Sequence, residues 1–163
     1  MLLRNMQIDN NIYIALQNTL LMLPIRGQDL EKLIPQKQPF VLVESLLEVT
    51  ETSCVTTFTI PQNHVLSTEG KLTIAGLLEN MAQSSGCKMG YEDFMGGKRQ
   101  RRGFIGEIKD VVCNRLPSVG ETLSTEVIIE SKVFGAVTIV SSKVTSNNEL
   151  LASCRMKIFF EPE

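Results

Sequence analysis

The sequence predicts an α+β domain in which an antiparallel sheet wraps around one long central helix. One long segment, residues 72–94, has the 3.6-residue spacing of apolar side chains that is typical of a helix. Four long runs follow it in which β-branched residues are mixed with polar ones, and two shorter runs of this kind precede it. A sheet of this size needs one face covered, and a single helix is available to cover it.

Composition places the chain among ordinary globular domains, because 43% of its 163 residues are hydrophobic and 21% are charged. The net charge of -2 gives no general attraction to nucleic acid or to an anionic membrane, so neither is an expected partner. The four cysteines are widely spaced and the chain has one histidine, so no structural zinc site is predicted. We expect reduced, mostly buried thiols in a cytoplasmic protein that uses no metal or cofactor.

Residues 1–24 form an apolar extension ahead of the domain, which we place at residues 25–163. Asp9, Asn10 and Asn11 interrupt the apolar run, and no small-residue cleavage site follows it. We therefore expect neither a signal peptide nor a membrane anchor. Either the extension is a helix that packs on the domain, or the natural start is Met22 and residues 1–21 are not part of the native protein.

The first elements of the domain are a short helix and two strands. Residues 27–35 are predicted to be helical as far as Pro35, because proline lacks a backbone donor and disfavours helix in the residue before it. Residues 39–51 and 53–61 are β-branched and aromatic runs separated by a polar turn, which predicts two strands.

The helix predicted at residues 72–94 has two different faces. One stripe, expected to face the sheet, carries Ile74, Leu77, Leu78, Met81 and Ser85. The other face consists of small residues and two polar ones, Gly76, Glu79, Gln83, Gly86 and Gly90. Such a face allows another backbone or a thin ligand to come close.

Beyond the helix and a basic loop, residues 95–103, the pattern is that of strands only. Predicted strands cover residues 104–116, 121–133 and 136–146, and a last run up to residue 160 alternates apolar and polar side chains. Asn147 and Asn148 separate the last two strands and tolerate the positive φ of a tight hairpin.

Two motifs resemble the hotdog fold and, within it, the 3-hydroxyacyl-[acyl carrier protein] dehydratases, over residues 28–160. The first is "LIPQKQPFVLVESLLEV", which supplies Pro35, Pro39, Phe40, Leu42, Val43 and Glu44. The second is "LLENMAQSSG" on the helix, which supplies Glu79, Met81, Ala82 and Gln83.

The resemblance implies a catalytic histidine in a loop and a catalytic acid on the central helix, which are His64 and Glu79 here. The usual dehydratase loop contains prolines, whereas this loop, "HVLSTEGKLTIAG", has none, and the spacing between the two residues is one longer. His64, Leu66, Gly70 and Leu72 fit better the branch found with aryl polyene and related pigment pathways. We therefore expect dehydration of a 3-hydroxyacyl thioester to the trans-2-enoyl thioester.

Dehydration requires a base for the C2 proton, a donor for the departing hydroxyl and a group that stabilises charge on the thioester oxygen. The neutral imidazole of His64 suits the first task. A carboxylate in an apolar tunnel is more easily protonated, so Glu79 suits the second. First-turn N–H groups of the helix, at Ile74, Ala75 and Gly76, suit the third. Gln83 is either a substrate contact or a structural hydrogen-bonding residue.

The basic loop holds Lys98, Arg99, Arg101 and Arg102. It is either a solvated loop or a docking patch for an acyl carrier protein and the phosphate of its phosphopantetheine arm. In hotdog dehydratases the histidine of one protomer faces the acid of the other, so the resemblance implies a homodimer or a larger assembly of dimers, with a heterodimer as a further option.

Two other functions stay open at the level of the sequence. A hotdog thioesterase would use the helix carboxylate to activate water against the same thioester. A catalytically degenerate subunit would bind acyl chains or complete a heterodimer, and the altered histidine loop keeps this reading open.

Overall fold

A computed structural model describes residues 23–133 and 136–161 of the chain. The possible helix of the N-terminal extension falls among residues 1–22 and so lies outside the described residues. A short 3₁₀ helix, Gly27–Lys32, replaces the predicted first helix, and the central helix α1 spans Ile74–Met95. The strands are β1 (Ile25–Arg26), β2 (Ser45–Val49), β3 (Ser53–Thr59), β4 (Ser67–Thr68), β5 (Lys71–Leu72), β6 (Gly103–Cys113), β7 (Thr122–Val133), β8 (Val137–Ser146) and β9 (Glu149–Phe160).

Seven of these strands form one antiparallel sheet in the order β1-β2-β3-β7-β8-β9-β6, packed around α1. Buried and less buried residues alternate along β8 and β9; in β9, for example, Cys154 and Met156 are buried and Arg155 is exposed. The β8–β9 hairpin turns at Asn147 and Asn148, both with positive φ, as predicted. The predicted fold, a sheet wrapped around one central helix, is confirmed.

Helix α1 begins at the N-cap Thr73, whose hydroxyl accepts a hydrogen bond from the Gly76 N–H at 3.1 Å. Leu77, Met81 and Ser85 are buried as expected. Ile74 is not, with 48% of its surface exposed, because the first helical residue precedes the turns that lie against the sheet. The helix buries polar residues as well, and Asn80 and Ser84 are completely inaccessible.

The strand predicted from residue 39 begins only at Ser45. Of the preceding residues, Phe40 and Leu42 are bound by side chains of α1, whereas the Glu44 N–H donates to the Thr57 carbonyl of β3 at 2.7 Å. The Leu42 N–H donates to Gln83 Oε1 at 2.8 Å, and Asn80 Nδ2 donates to the Leu42 carbonyl at 2.7 Å. This chain segment therefore lies across the helix and closes one end of the wrapped sheet.

Strand β6 lies at the other end of the sheet and pairs with β9 alone among the described strands. Both faces of this strand are exposed along most of its length, and the exposed residues include Phe104, Ile105, Val111 and Val112. Within residues 23–133 and 136–161, no helix is long and apolar enough to cross a membrane.

Candidate active site

The imidazole of His64 is buried, with 8% of the residue exposed, and lies edge-on to the Phe58 ring at a centroid distance of 5.7 Å. Its Nδ1 accepts a hydrogen bond from the Leu66 N–H at 3.2 Å. Its Nε2 is buried and has no hydrogen-bond partner among the described residues. Burial lowers the pKa of His64 from its ordinary value, and the backbone carbonyl of Val41 offsets part of that effect.

The loop that carries His64 owes its order to backbone hydrogen bonds. Strands β4 and β5 form a two-residue hairpin that turns at Glu69 and Gly70, both with positive φ. The hairpin is joined to the Pro117–Glu121 turn, because Leu72 N–H donates to the Pro117 carbonyl at 2.9 Å. Backbone hydrogen bonds thus hold in place a loop that contains no proline.

The hairpin is also attached to the start of α1 through Thr73. The Leu66 carbonyl accepts hydrogen bonds from both the N–H and the hydroxyl of Thr73, each at 2.9 Å. The His64 carbonyl accepts from the Ser67 N–H at 2.9 Å. The Leu66 amide that faces the imidazole therefore has a fixed position.

Glu79 projects from α1 into the wall of a cavity of about 320 Å³. The cavity follows the helix past Ala82 to Gly86 and is closed on its other side by the start of β6. Apart from Gln36, Glu79, Gln83 and Arg101, its lining residues are apolar or glycine. An acyl chain fits such a surface, with one carboxylate available to a reacting carbon.

Gln83 fixes the orientation of the Glu79 carboxylate. Its Nε2 donates to Glu79 Oε1 at 2.7 Å and to the Phe40 carbonyl at 2.7 Å, while its Oε1 accepts from Leu42. The side chain is 1% exposed. Of the two interpretations of Gln83 made from sequence, these contacts favour the structural one.

His64 is not among the residues that line the Glu79 cavity. Among the described residues, this cavity therefore does not unite the two predicted catalytic residues. The predicted glycine-rich face is nevertheless used as expected. At Gly90 an added Cβ would lie 2.0 Å from the Leu33 carbonyl oxygen, so only glycine allows that backbone to pack on the helix.

Some of the N–H groups in the first turn of α1 are bound by the N-cap residue and others are not. Gly76 donates to the Thr73 hydroxyl and Leu77 to the Thr73 carbonyl. Gly76 is buried against Leu72, and a Cβ there would lie 2.5 Å from that side chain. The cap does not use the N–H groups of Ile74 and Ala75, and both residues are exposed at the helix start.

The four residues of the basic loop have different surroundings. Arg101 lies over the Phe160 ring and forms an ion pair with Asp93, whose side chain is 3% exposed, through Nη2 at 2.7 Å and Nε at 3.1 Å. Lys98, Arg99 and Arg102 are exposed, and Arg102 contacts Glu161 at 3.3 Å.

Three features of the site were missed from the sequence. Thr73, which directly precedes an apolar helical pattern, carries an N-cap signal. Asn80 is a polar residue among the apolar positions of the helix, and a buried amide there requires partners. Gln36 lines the cavity and its Oε1 is buried with no described hydrogen-bond partner, but nothing in the sequence distinguishes it from its polar neighbours.

Similar structures share this fold. The dehydratase heterocomplex ApeI:P from Xenorhabdus doucetiae contains a chain with 17% sequence identity and a TM-score of 0.76, covering 88% of this chain and 94% of that one. An uncharacterised protein from Pyrococcus horikoshii has 13% identity and a TM-score of 0.60, with 87% and 97% covered.

A hypothetical thioesterase from Streptococcus pneumoniae, solved with coenzyme A, has 12% identity and a TM-score of 0.58, with 72% of this chain and 88% of that chain covered. At these identities the likeness concerns the fold alone. No curated protein sequence matches the chain.

A family model gives a more specific result. The model of the ApeP-like family, described as ApeP dehydratase, matches residues 28–163. This range covers both motifs on which the resemblance to the dehydratases was recognised, and it confirms the placement near the aryl polyene branch. By this match, which takes in most of its length, the chain belongs to the ApeP-like dehydratase family.

Proposed function

We propose that this chain dehydrates a 3-hydroxyacyl thioester, carried on acyl carrier protein, to the trans-2-enoyl thioester. The observation that carries the proposal is the Glu79 carboxylate, which Gln83 holds at the wall of a largely apolar cavity. A carboxylate there can exchange protons with C2 and with the C3 hydroxyl, while the apolar lining accepts the acyl chain. Membership of a dehydratase family supports the same reaction.

His64 is the second catalytic residue that we propose. Its Nε2 is buried and has no hydrogen-bond partner among the described residues, so a substrate or a second subunit would complete its hydrogen bonding. Ile74 and Ala75 provide first-turn N–H groups that can share the charge on the thioester oxygen, whereas the N–H of Gly76 serves the cap. Gln36 Oε1 is an acceptor for a substrate hydroxyl.

A second hotdog subunit completes the site in this proposal. His64 does not line the Glu79 cavity of its own chain, so each residue needs a counterpart from another subunit. The long edge strand β6, with Phe104 and Ile105 exposed beside the cavity, offers the surface for that contact. The partner is either another copy of this chain or a different hotdog subunit, as in the ApeI:P heterocomplex.

We place the carrier protein at the basic loop, on Lys98, Arg99 and Arg102. These exposed cations suit an acidic surface and a phosphate group. Arg101 contributes differently, because its guanidinium is bound to buried Asp93 and forms part of the cavity wall. We place the reaction in the cytoplasm, where the four free cysteines would remain reduced.

The test is turnover of a 3-hydroxyacyl-pantetheine thioester by the purified chain, alone and with a second hotdog subunit. Enoyl absorbance and free thiol are recorded in the same sample. Enoyl formation without thiol release is expected. Thiol release would instead identify a thioesterase, and enoyl formation that is unaffected by both Glu79→Ala and His64→Ala would place catalysis entirely in the partner.

A further inference from the structure

The first end of the loop that carries His64 is bound to the turn at residues 117–121. Ile60, which directly precedes the loop, donates its N–H to the Glu121 carbonyl at 3.0 Å. The Ile60 carbonyl accepts from the Gly120 N–H at 2.8 Å. These two hydrogen bonds extend the pairing of β3 with β7 past the ends of both strands, so the loop leaves the sheet at a defined point.

The second end of the loop is bound to the same turn. The Gly70 carbonyl accepts from the Val119 N–H at 2.8 Å, and the Leu72 N–H donates to the Pro117 carbonyl at 2.9 Å. His64 lies between these two attachment points. The position of its backbone therefore depends on where the turn lies.

Side chains fix the turn itself. Glu121 Oε1 accepts from the Ser118 N–H at 2.8 Å, which closes the turn. The guanidinium of Arg115 binds both oxygens of the same carboxylate, with Nη1 to Oε1 at 3.0 Å and Nη2 to Oε2 at 3.1 Å. The Arg115 Nε also donates to Glu149 Oε2 at 2.9 Å, at the start of β9. The fork-shaped donor set of one guanidinium thus joins the turn to the main sheet.

The pair of Arg115 with Glu121 is of the kind that contributes to stability even near the surface. Isolated exposed ion pairs contribute little, whereas bidentate pairs of arginine with a carboxylate inside a charge network are an exception. The two side chains are 36% and 21% exposed. The Arg115 guanidinium holds the pKa of Glu121 below its ordinary value, against the opposing effect of burial, so this carboxylate is ionised at neutral pH.

From these contacts we infer that Arg115 and Glu121 are positioning residues for His64, because their ion pair fixes the turn that holds both ends of the His64 loop. This inference rests on the proposed function, in which His64 takes part in catalysis. Neither residue needs to touch the substrate. Loss of the pair would let the turn shift and the imidazole with it, and a displacement of about 1 Å can cost about 10²-fold in rate.

Arg115→Met and Arg155→Met are a matched pair of variants for the test. Each removes a bidentate contact between an arginine and a glutamate, but Arg155 binds Glu130 of β7 and not the turn. We expect Arg115→Met to lower kcat for enoyl formation by about 10-fold with an unchanged KM, and Arg155→Met to match wild type. Arg115→Lys keeps the charge without the fork and should lie between the two. Equal kcat values for Arg115→Met and Arg155→Met would overturn the inference.

The ring signals of His64 test the positioning independently of activity. His64 is the only histidine of the chain, so labelling with ¹³C,¹⁵N-histidine gives ring signals of known origin, in the full chain with any different hotdog subunit left unlabelled. Arg115→Met is expected to shift these signals and Arg155→Met is not. Unchanged signals in Arg115→Met, or equal shifts in both variants, would overturn the inference. If the wild-type assembly forms no enoyl product, the dehydratase assignment fails, while the ring signals still decide whether the ion pair positions His64.

Discussion

The two regions that carry the proposed catalytic residues are fixed in position by different parts of the chain. The His64 loop is held mostly by backbone groups, in the β4–β5 hairpin and in the bond between Leu66 and Thr73. Glu79 lies on a regular helix, but its carboxylate is oriented by one side chain, Gln83. A site held by backbone tolerates single side-chain changes within the loop, whereas a site held by a buried amide can be disrupted by one substitution.

The largest expected effect lies at Glu79 itself. Glu79→Gln preserves the shape of the side chain and leaves an oxygen that can accept from Gln83, but it cannot carry a proton. We expect enoyl formation to fall by a factor of about 10²–10⁴, with little change in thermal stability. The measurement is kcat/KM for the 3-hydroxyacyl thioester together with a melting curve.

Glu79→Asp is the control for this prediction. The shorter carboxylate still exchanges protons but moves away from the substrate, so partial activity is expected. If Glu79→Gln were as active as wild type, no proton would pass through this position.

The second prediction tests whether the Glu79 side of the site depends on a side chain. Gln83→Met removes the partner of the Leu42 N–H and the donor to Glu79. A buried polar group left without a partner costs about 1–3 kcal/mol. The free energy of unfolding, measured in urea, should therefore fall by at least that amount. The kcat should fall as well, because the carboxylate loses its orientation.

Asn80→Leu is the matched control for Gln83→Met. The Asn80 side chain binds the same residue, Leu42, and also Thr125, and neither of these hydrogen bonds involves the Glu79 carboxylate. A similar loss of stability with a smaller loss of kcat is expected, measured well below the melting temperature of each variant. Equal loss of kcat in both would mean that the Gln83 contact has no specific role.

The contrast between the two regions also explains what could be predicted from sequence. Strands and the central helix follow from the periodicity of apolar residues, and His64 and Glu79 from motif resemblance. The hydrogen bonds that orient them depend on residues far apart in the chain, such as Leu42 and Gln83, which lie 41 positions apart. No local pattern specifies such pairs.

The position of the edge strand β6 in the sheet is another feature that could not be predicted from the sequence. The run from Phe104 to Leu116 is recognisable as a strand, but its apolar residues do not reveal that β6 lies at the end of the sheet and is exposed on both faces. Strand order is decided by long-range pairing. The sequence likewise does not distinguish the half-buried Arg101 from the exposed basic residues beside it. Its partner Asp93 lies on the preceding helix, and no local pattern shows that the two residues pair.

A smaller effect is expected where backbone supports the site. Thr73→Val removes the hydroxyl that caps α1 and donates to Leu66, but the backbone bond from Thr73 N–H to the Leu66 carbonyl remains. Loss of an N-cap costs about 1 kcal/mol, so stability should fall by that amount while kcat changes little. Thr73→Ser should match wild type in both. A large loss of kcat in Thr73→Val alone would show that the side chain, and not the backbone, positions His64.

The smallest effect concerns the pH dependence of stability, and it reports on His64 alone. Because burial lowers the pKa of His64 in the folded state, the unfolded chain binds the proton more readily. The stabilisation by neutral His64 is thus complete above its ordinary pKa of 6.5 and is lost as the pH falls towards the lowered folded-state value.

His64→Asn keeps an acceptor for Leu66 but does not titrate in this range. Urea unfolding between about pH 5 and 8 should therefore show a steeper acid-side decline for wild type than for His64→Asn. Parallel curves would mean that the folded protein admits the imidazolium ion.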